Sequence, residues 1–166
     1  MPLNEEIPIT VAVVEDDAQV RQSLAGVLQR GSGVVCVGAF GNAEEALREL
    51  PALKPRVVLM DINLPGMDGV ECVRRLSGLI PGAQIVMLTV YDNTDAIFNS
   101  LAAGASGYLL KPLSAAQLLA AVKDVYAGGA PMTSNIVRKV VQAFKQPIPA
   151  ARETENLSAR DQNCQK

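Results

Sequence analysis

The sequence contains no histidine and no tryptophan among its 166 residues. Without histidine, the chain cannot form a Ser-His or Cys-His nucleophile, an imidazole zinc site or a phosphohistidine of its own. Neither sign of charge dominates, because 15 basic side chains face 17 acidic ones. A net charge of −2 argues against a protein that binds nucleic acid electrostatically over its whole surface. The charge is uneven along the chain, however. Residues 1–130 hold 9 basic and 14 acidic side chains (net −5), and residues 131–166 hold 6 and 3 (net +3).

Cysteine is scarce and widely spaced. Cys36, Cys72 and Cys164 are odd in number and form no C-x-x-C pair, which predicts free thiols in a reducing compartment. We expect Cys36 and Cys72 to be buried small hydrophobes. The first ten residues lack the basic and apolar regions of a signal peptide, and no uninterrupted apolar stretch reaches about 18 residues. We therefore expect a soluble, cytoplasmic protein with no membrane partner.

Five short apolar segments alternate with helical patterns. The segments do not alternate cleanly with polar residues, which is typical of strands buried on both faces of a parallel sheet. Apolar residues recur at helical spacing near 18–30 and 114–127, and possible capping boxes begin at Asn42 and Ser114. The alternation predicts a doubly wound α/β fold of five βα units, with helices on both faces of the sheet. The predicted strands are Ile9–Val14, Val34–Phe40, Val57–Met60, Gln84–Leu88 and Gly107–Leu110.

The chain divides into a main domain and an appendage. We predict a domain at 7–129, an extra helix at 131–145 that Thr133 or Ser134 caps, and a linker from 146 onward. The linker prediction follows from the Pro- and charge-rich composition after Lys145.

Polar side chains follow several of the predicted strands. Glu15, Asp16 and Asp17 follow the first strand, Asp61 the third, Thr89 the fourth and Lys111 the fifth. In doubly wound sheets the site lies outside the carboxyl ends of the strands. Clustered carboxylates need a compensating cation, and hard oxygen ligands suit Mg²⁺. A carboxylate beside Mg²⁺ and a lysine can attack a phosphoryl group, and Asp61 is the best placed by position. Asp17 is better interpreted as an exposed or capping acid.

Four segments at these strand ends carry a family resemblance. They read VVEDDAQVR, VVLMDINLPGMDGVE, IVMLTV and AGASGYLLKP, in that order. The chain from about 8 to 128 resembles the response-regulator receiver domain of two-component signalling. Its last segment, GYLLKPLSAAQLLAAVKDVYAGG, and the extra helix resemble the NarL/FixJ (LuxR-type) subfamily. The resemblance implies a (βα)5 flavodoxin-like fold and a sensor histidine kinase that donates the phosphoryl group.

The resemblance also implies a role for each matching residue. Asp61 corresponds to the phosphoacceptor, and Glu15 and Asp16 to the acidic pair that positions Mg²⁺. Asn63 corresponds to the residue whose backbone carbonyl completes the metal shell. Thr89 and Lys111 correspond to the hydroxyl and ammonium that bind the phosphoryl oxygens, and Tyr108 to the aromatic switch residue that turns inward. The Lys111–Pro112 bond is the family's usual place for a cis peptide. A receiver of this kind phosphorylates and dephosphorylates itself and is not a turnover enzyme.

Two positions depart from the usual family pattern. The first acid is Glu15 where aspartate is commoner, and Val90 replaces a residue that is more often small. The branched side chain of Val90 could narrow access to the phosphoryl site and alter the rate and lifetime of phosphorylation.

Two other classes of function share parts of this pattern. A haloacid-dehalogenase-type phosphatase also uses a strand-end aspartate, but it would need a second acid where Asn63 stands. A flavodoxin-like cofactor binder would need a phosphate loop after the first strand, where Glu15, Asp16 and Asp17 would repel phosphate. A stand-alone receiver that acts through protein–protein contacts is a further alternative.

The output of such a regulator is expected beyond the receiver. Asn156 to Asp161 resembles the opening of a helix-turn-helix domain, with Ser158 and Asp161 as a capping box, but only five residues follow. This sequence is therefore expected to lack a recognition helix, either as a shortened piece or as a natural form. DNA binding and transcription regulation would belong to an output domain in the full-length protein, with a homodimer as another partner.

Overall fold

The computed structural model describes residues 7–145. Five βα units alternate along the chain, and a sixth helix follows them. The strands are β1 (Ile9–Val14), β2 (Val34–Phe40), β3 (Val57–Met60), β4 (Gln84–Thr89) and β5 (Gly107–Leu110). The helices are α1 (Ala18–Arg30), α2 (Ala43–Leu53), α3 (Gly69–Leu79), α4 (Thr94–Ala103), α5 (Ala115–Tyr126) and α6 (Ser134–Lys145). Four of the five predicted strands are confirmed as written, and β4 continues one residue further, to Thr89.

The strands form one parallel sheet in the order β2-β1-β3-β4-β5. Helices α1 and α5 contact each other on one face, and α2, α3 and α4 pack in sequence on the other. The order reverses at β1, because the chain crosses from β2 on one side of β1 to β3 on the other. This confirms the predicted doubly wound fold, whose ligand sites lie where the strand order reverses.

The sheet is buried on both faces, which explains its continuous apolar segments. Every residue of β3 is buried, and β1 exposes only part of Thr10. A large apolar cluster lies between the sheet and the pair α1 and α5. Its members include Val11, Leu28, Leu59, Leu118 and Val122. Burial of such side chains contributes about 1.5–3 kcal/mol each, so this cluster holds α1 and α5 against the sheet.

Side-chain caps define several helix starts. Asp17 accepts hydrogen bonds from the backbone N–H groups of Gln19 and Val20, so its predicted capping role is confirmed. The capping box at Ser114 and Gln117 is complete. At Asn42 only half of the box forms: Asn42 caps Glu45, but the Glu45 carboxylate accepts from the N–H of Gly41 instead.

Two predictions for individual side chains need correction. Cys72 is buried as predicted, but Cys36 is only half-buried, because it lies on β2 at the edge of the sheet. The hydroxyl of Thr133, predicted as a possible helix cap, accepts a hydrogen bond from the N–H of Leu110 in β5. The predictions for Cys164 and for the linker from 146 onward lie outside the described residues.

The chain separates into two compact units at Ile136. The first contains the sheet, helices α1–α5 and the first turn of α6. In the second, residues 137–145 continue α6, with valines and a phenylalanine at helical spacing among basic residues. The division of the chain at 129 and 146 stays a prediction. The extra helix begins at Ser134 and not at 131, because residues 131–133 pair with the backbone of β5. Within residues 7–145, the structure contains no helix long and apolar enough to cross a membrane.

Candidate phosphoacceptor and metal site

The predicted site residues converge at the carboxyl edge of the sheet. Asp61 directly follows β3, and its backbone N–H donates to the carbonyl of Val14, the last residue of β1. Glu15 and Asp16 follow β1 directly. Since β1 and β3 are neighbours in register, their ends bring these acids together. Carboxylate oxygens of Glu15, Asp16 and Asp61 all lie within 4.8 Å of one another.

The three carboxylates differ in their surroundings. Glu15 and Asp61 are buried, whereas Asp16 is exposed. Burial raises the pKa of Glu15, and the nearby Asp61 adds to that rise. Hydrogen bonds from Lys111 and from the backbone N–H of Asp17 oppose it. Two buried acids and one exposed acid give a site that is open to solvent on one side.

Lys111 supplies the positive charge of the site. Its ammonium donates hydrogen bonds to Asp61 Oδ2, at 3.0 Å, and to Glu15 Oε1. Burial lowers the pKa of Lys111, but the hydrogen bonds to Glu15 and Asp61 outweigh it, so the pKa is raised overall. The lysine therefore stays charged and offsets part of the repulsion between the acids. The Lys111–Pro112 peptide bond is cis, as predicted.

Thr89 and Tyr108 lie on β4 and β5 beside this cluster. Thr89 is fully buried, and its carbonyl accepts a hydrogen bond from the N–H of Lys111. Its hydroxyl accepts a 3.5 Å hydrogen bond from the N–H of Tyr91. Tyr108 is also fully buried, and its hydroxyl donates to the carbonyl of Tyr91 at 2.7 Å. Both side chains thus meet the same short loop after β4. The inward position of Tyr108 is the one occupied in this structure.

The loop after Asp61 is held close to the site by a glycine. The N–H of Gly69 donates to the carbonyl of Ile62 at 2.8 Å, and a Cβ at Gly69 would overlap the carbonyl oxygen of Asp61. The N–H of Asn63 points to Asp61 Oδ1 at 3.4 Å. Only glycine permits this approach of α3 to the strand end. Asn63 therefore lies beside Asp61, while its predicted role through the backbone carbonyl stays a prediction.

Val90, the predicted departure, lies next to Thr89 but points outward. The residue is 66% exposed. An exposed branched side chain at this position faces solvent at the end of β4, so an effect on access to the phosphoryl site stays a prediction.

Sequence reasoning missed one residue of the site. Arg21, on α1, donates hydrogen bonds to the backbone carbonyls of Glu15 and Asp16. Its signal in the sequence is weak, because it is one basic residue five positions after the acidic pair. A side chain that donates to backbone carbonyls has no characteristic partner residue that could be recognised in the sequence.

The donor set fits Mg²⁺. Mg²⁺ is held in proteins by one or two carboxylates and keeps several waters. Here three carboxylates cluster at an edge that is open to solvent, and the Asp16 carboxylate has no hydrogen-bond or ion-pair partner among residues 7–145. Lys111 neutralises only part of the charge of this cluster, so a divalent cation would complete the neutralisation.

The fold and the strand-end cluster define a doubly wound α/β protein with an acidic site at its switch point. Comparison with known proteins identifies the family of the chain. The family model for the response regulator receiver domain matches residues 11–123. The chain belongs to the response-regulator receiver domain family.

Its relatives are transcriptional regulators of the NarL/LuxR type. The chain is 32% identical over 138 residues to the transcriptional regulatory protein LnrK of Bacillus subtilis, covering 83% of this chain and 63% of LnrK. It is 36% identical over 140 residues to the transcriptional regulatory protein UhpA of Escherichia coli, covering 84% of this chain and 70% of UhpA. The chain thus spans less than two thirds of the length of LnrK.

A solved structure supports the same fold. The two-component response regulator of the LuxR family from Aurantimonas superposes with a TM-score of 0.79 at 27% identity. The match covers 84% of this chain and 99% of that one.

Proposed function

We propose that this receiver accepts a phosphoryl group on Asp61 in a Mg²⁺-dependent reaction with a sensor histidine kinase. The observation that carries the proposal is the Lys111 ammonium, which bridges the carboxylates of Asp61 and Glu15. It supports the proposal because the Asp61 carboxylate lies beside a fixed positive charge, at the edge of the sheet where the solvent-exposed carboxylate of Asp16 also lies.

Each residue has a defined task in the transfer. A carboxylate oxygen of Asp61 forms the new O–P bond as the N–P bond to the donor histidine breaks, and the electron pair leaves on the imidazole nitrogen. Lys111 and the hydroxyl of Thr89 donate to the phosphoryl oxygens. Glu15, Asp16, Asp61 and the Asn63 carbonyl would hold Mg²⁺, and the bound ion would offset negative charge on the reacting groups. The donor imidazole belongs to the kinase, because this chain has no histidine.

The chain acts as a phosphoacceptor that slowly phosphorylates and dephosphorylates itself. It does not act as an enzyme that turns over a separate substrate. Movement of Thr89 toward the phosphoryl group would stabilise the buried position of Tyr108 and shift the surface around β4 and β5 between two states. In the whole protein, located in the cytoplasm, this shift would control dimerisation, and transcription through a DNA-binding output domain, as the names of LnrK and UhpA suggest.

Acetyl phosphate with MgCl2, followed by intact mass spectrometry, tests the proposal. We expect one added phosphoryl group on the wild-type protein and none on Asp61→Asn. Asp68→Asn is the matched control, because Asp68 lies in the same loop but caps α3. It should keep the adduct. Consumption of acetyl phosphate without an adduct would favour the aspartate-nucleophile phosphatase instead. An adduct that persists in Asp61→Asn would contradict the proposal.

A further inference from the structure

The guanidinium of Arg21 turns back from α1 to the loop that follows β1. Its Nη1 atom donates to the backbone carbonyl of Glu15 at 2.6 Å and to that of Asp16 at 3.3 Å. These two consecutive residues carry two of the three carboxylates of the site. One side chain therefore fixes two neighbouring peptide groups, and with them the directions in which both acidic side chains leave the backbone.

The partners of Arg21 distinguish it from Lys111. Lys111 donates to carboxylate oxygens, which are the atoms a metal needs. Arg21 donates to backbone carbonyls, and its bonds leave the carboxylates free. The Asp16 carboxylate has no partner within residues 7–145. Arg21 can thus hold the loop without competing for the ligand atoms.

A glycine after β2 leaves room for the guanidinium. A Cβ at Gly41 would lie 3.1 Å from Arg21 Nη1, which is closer than such contacts normally come. The N–H of Glu15 donates to the carbonyl of Phe40 at 2.9 Å, so the loops after β1 and β2 lie side by side here. The guanidinium therefore occupies a defined place between the acidic loop and Gly41.

We propose that Arg21 is a positioning residue that holds Glu15 and Asp16 in the geometry that binds Mg²⁺. It acts through the backbone of these two residues and touches neither the metal nor the phosphoryl group. The inference rests on the proposed function of the acidic cluster.

Charge and geometry make opposite predictions for this residue, which makes the role testable. A positive charge near the site repels Mg²⁺, so removing it would tighten metal binding if charge were all that mattered. Loss of positioning would weaken binding instead, by about tenfold or more, as loss of groups that orient metal ligands usually does. Arg21→Met removes both the charge and the hydrogen bonds. Arg21→Lys keeps the charge but replaces the rigid, planar guanidinium, whose Nη1 atom donates to both carbonyls, by a flexible ammonium.

Calorimetric titration of the full chain with MgCl2 provides the test. We expect the Kd for Mg²⁺ to rise about tenfold in Arg21→Met and by a smaller factor in Arg21→Lys. Gly41→Ala should raise it by a smaller factor than Arg21→Met, because the added methyl, 3.1 Å from Nη1, crowds the guanidinium while Arg21 itself is unchanged. Arg48→Met is the matched control, since Arg48 is exposed on α2 and pairs with Glu49. An unchanged or lower Kd in Arg21→Met would overturn the inference.

Urea unfolding in EDTA and in MgCl2 separates positioning from general stability. A purely structural role would lower the midpoint equally in both solutions, and positioning predicts a smaller increase on adding MgCl2. If Arg21→Met does not fold, Arg21→Lys decides by the same two measurements. Absence of Mg²⁺ binding by the wild-type protein would overturn the inference. Binding without a phosphoryl adduct would overturn only the proposed function.

Discussion

The hydroxyl of Tyr108 donates a 2.7 Å hydrogen bond to the backbone carbonyl of Tyr91. Tyr108 lies in β5 and is fully buried, whereas Tyr91 lies in the loop after β4. The N–H of Tyr91 in turn donates to the hydroxyl of Thr89, at 3.5 Å. The two peptide groups that flank Tyr91 therefore connect the hydroxyls of Thr89 and Tyr108, the two predicted switch residues.

Tyr108→Phe removes this hydrogen bond and keeps the buried ring. We expect the free energy of unfolding to fall by about 1 kcal/mol, because the Tyr91 carbonyl loses its donor. Tyr108→Ala should cost about 3–5 kcal/mol, since it also leaves a cavity between β5 and the adjacent helices. Urea denaturation measures both. Equal losses in the two variants would show that the hydroxyl, and not the ring, provides the stability.

The burial of Tyr108 predicts that its hydroxyl loses its proton only at high pH. Burial raises the pKa of Tyr108 to about 12, and the charges of Asp92 and Asp61 add to the rise. The ordinary value of 10.0 applies to the unfolded chain. Because the folded pKa lies above the unfolded one, this contribution to stability is complete below pH 10 and is lost as the pH rises toward about 12. The loss amounts to about 2–3 kcal/mol.

Tyr108→Phe is the matched control for this titration. The near-ultraviolet phenolate absorbance of the wild-type protein, minus that of the variant, should rise only near pH 12 or at unfolding. A difference that rises around pH 10 would mean that solvent reaches this hydroxyl in the folded protein.

Lys111→Met should lower the stability of the folded protein and make that stability more dependent on Mg²⁺. The substitution leaves the buried carboxylates of Glu15 and Asp61 without the ammonium that both accept from. Removing one partner of a buried ion pair lowers the free energy of unfolding by about 3–5 kcal/mol. Because Lys111 is partly exposed, we expect a loss near the lower end of that range. We expect MgCl2 to recover more stability in this variant than in the wild type, because a cation replaces the lost charge.

Thermal unfolding with and without MgCl2 measures that recovery. Lys123→Met is the control, because Lys123 lies in the last turn of α5 and has no contact with the acids. A recovery no larger in Lys111→Met than in Lys123→Met would argue against a metal site in this cluster.

The sequence predicted the sheet and the strand-end acids because both depend on local patterns. Buried parallel strands read as short apolar segments, and a parallel sheet necessarily brings their carboxyl ends to one edge. Val57–Met60 followed by Asp61 is such a case.

Contacts between distant backbone and side-chain groups left no comparable pattern. The bonds of Arg21 and the partner of Tyr108 both end on backbone carbonyls, which every residue carries. The half-exposure of Cys36 depends on β2 being an edge strand, and strand order is not encoded in the segment itself. Such features require the tertiary structure.

At β5, the edge strand opposite β2, the backbone makes one more contact that the sequence does not reveal. The segment after α5 lies along β5: the N–H of Tyr108 donates to the carbonyl of Pro131, and the N–H of Thr133 donates to the carbonyl of Tyr108. The hydroxyl of Thr133 then accepts from the N–H of Leu110 at 2.9 Å. This segment covers an edge strand that would otherwise expose unpaired backbone groups.

Thr133→Val should therefore loosen β5 next to Lys111. The substitution keeps the shape of the side chain but removes the acceptor for Leu110, so we expect about 1 kcal/mol lower stability and faster hydrogen exchange at the Leu110 amide. Thr10→Val is the matched control, because the Thr10 hydroxyl also accepts from a backbone N–H, that of Arg56, at the other end of the strands. Arg56 keeps a second acceptor, the Thr10 carbonyl, so its exchange should change less. Exchange at Leu110 that is the same in wild type and Thr133→Val would show that this hydroxyl does not secure the edge of β5.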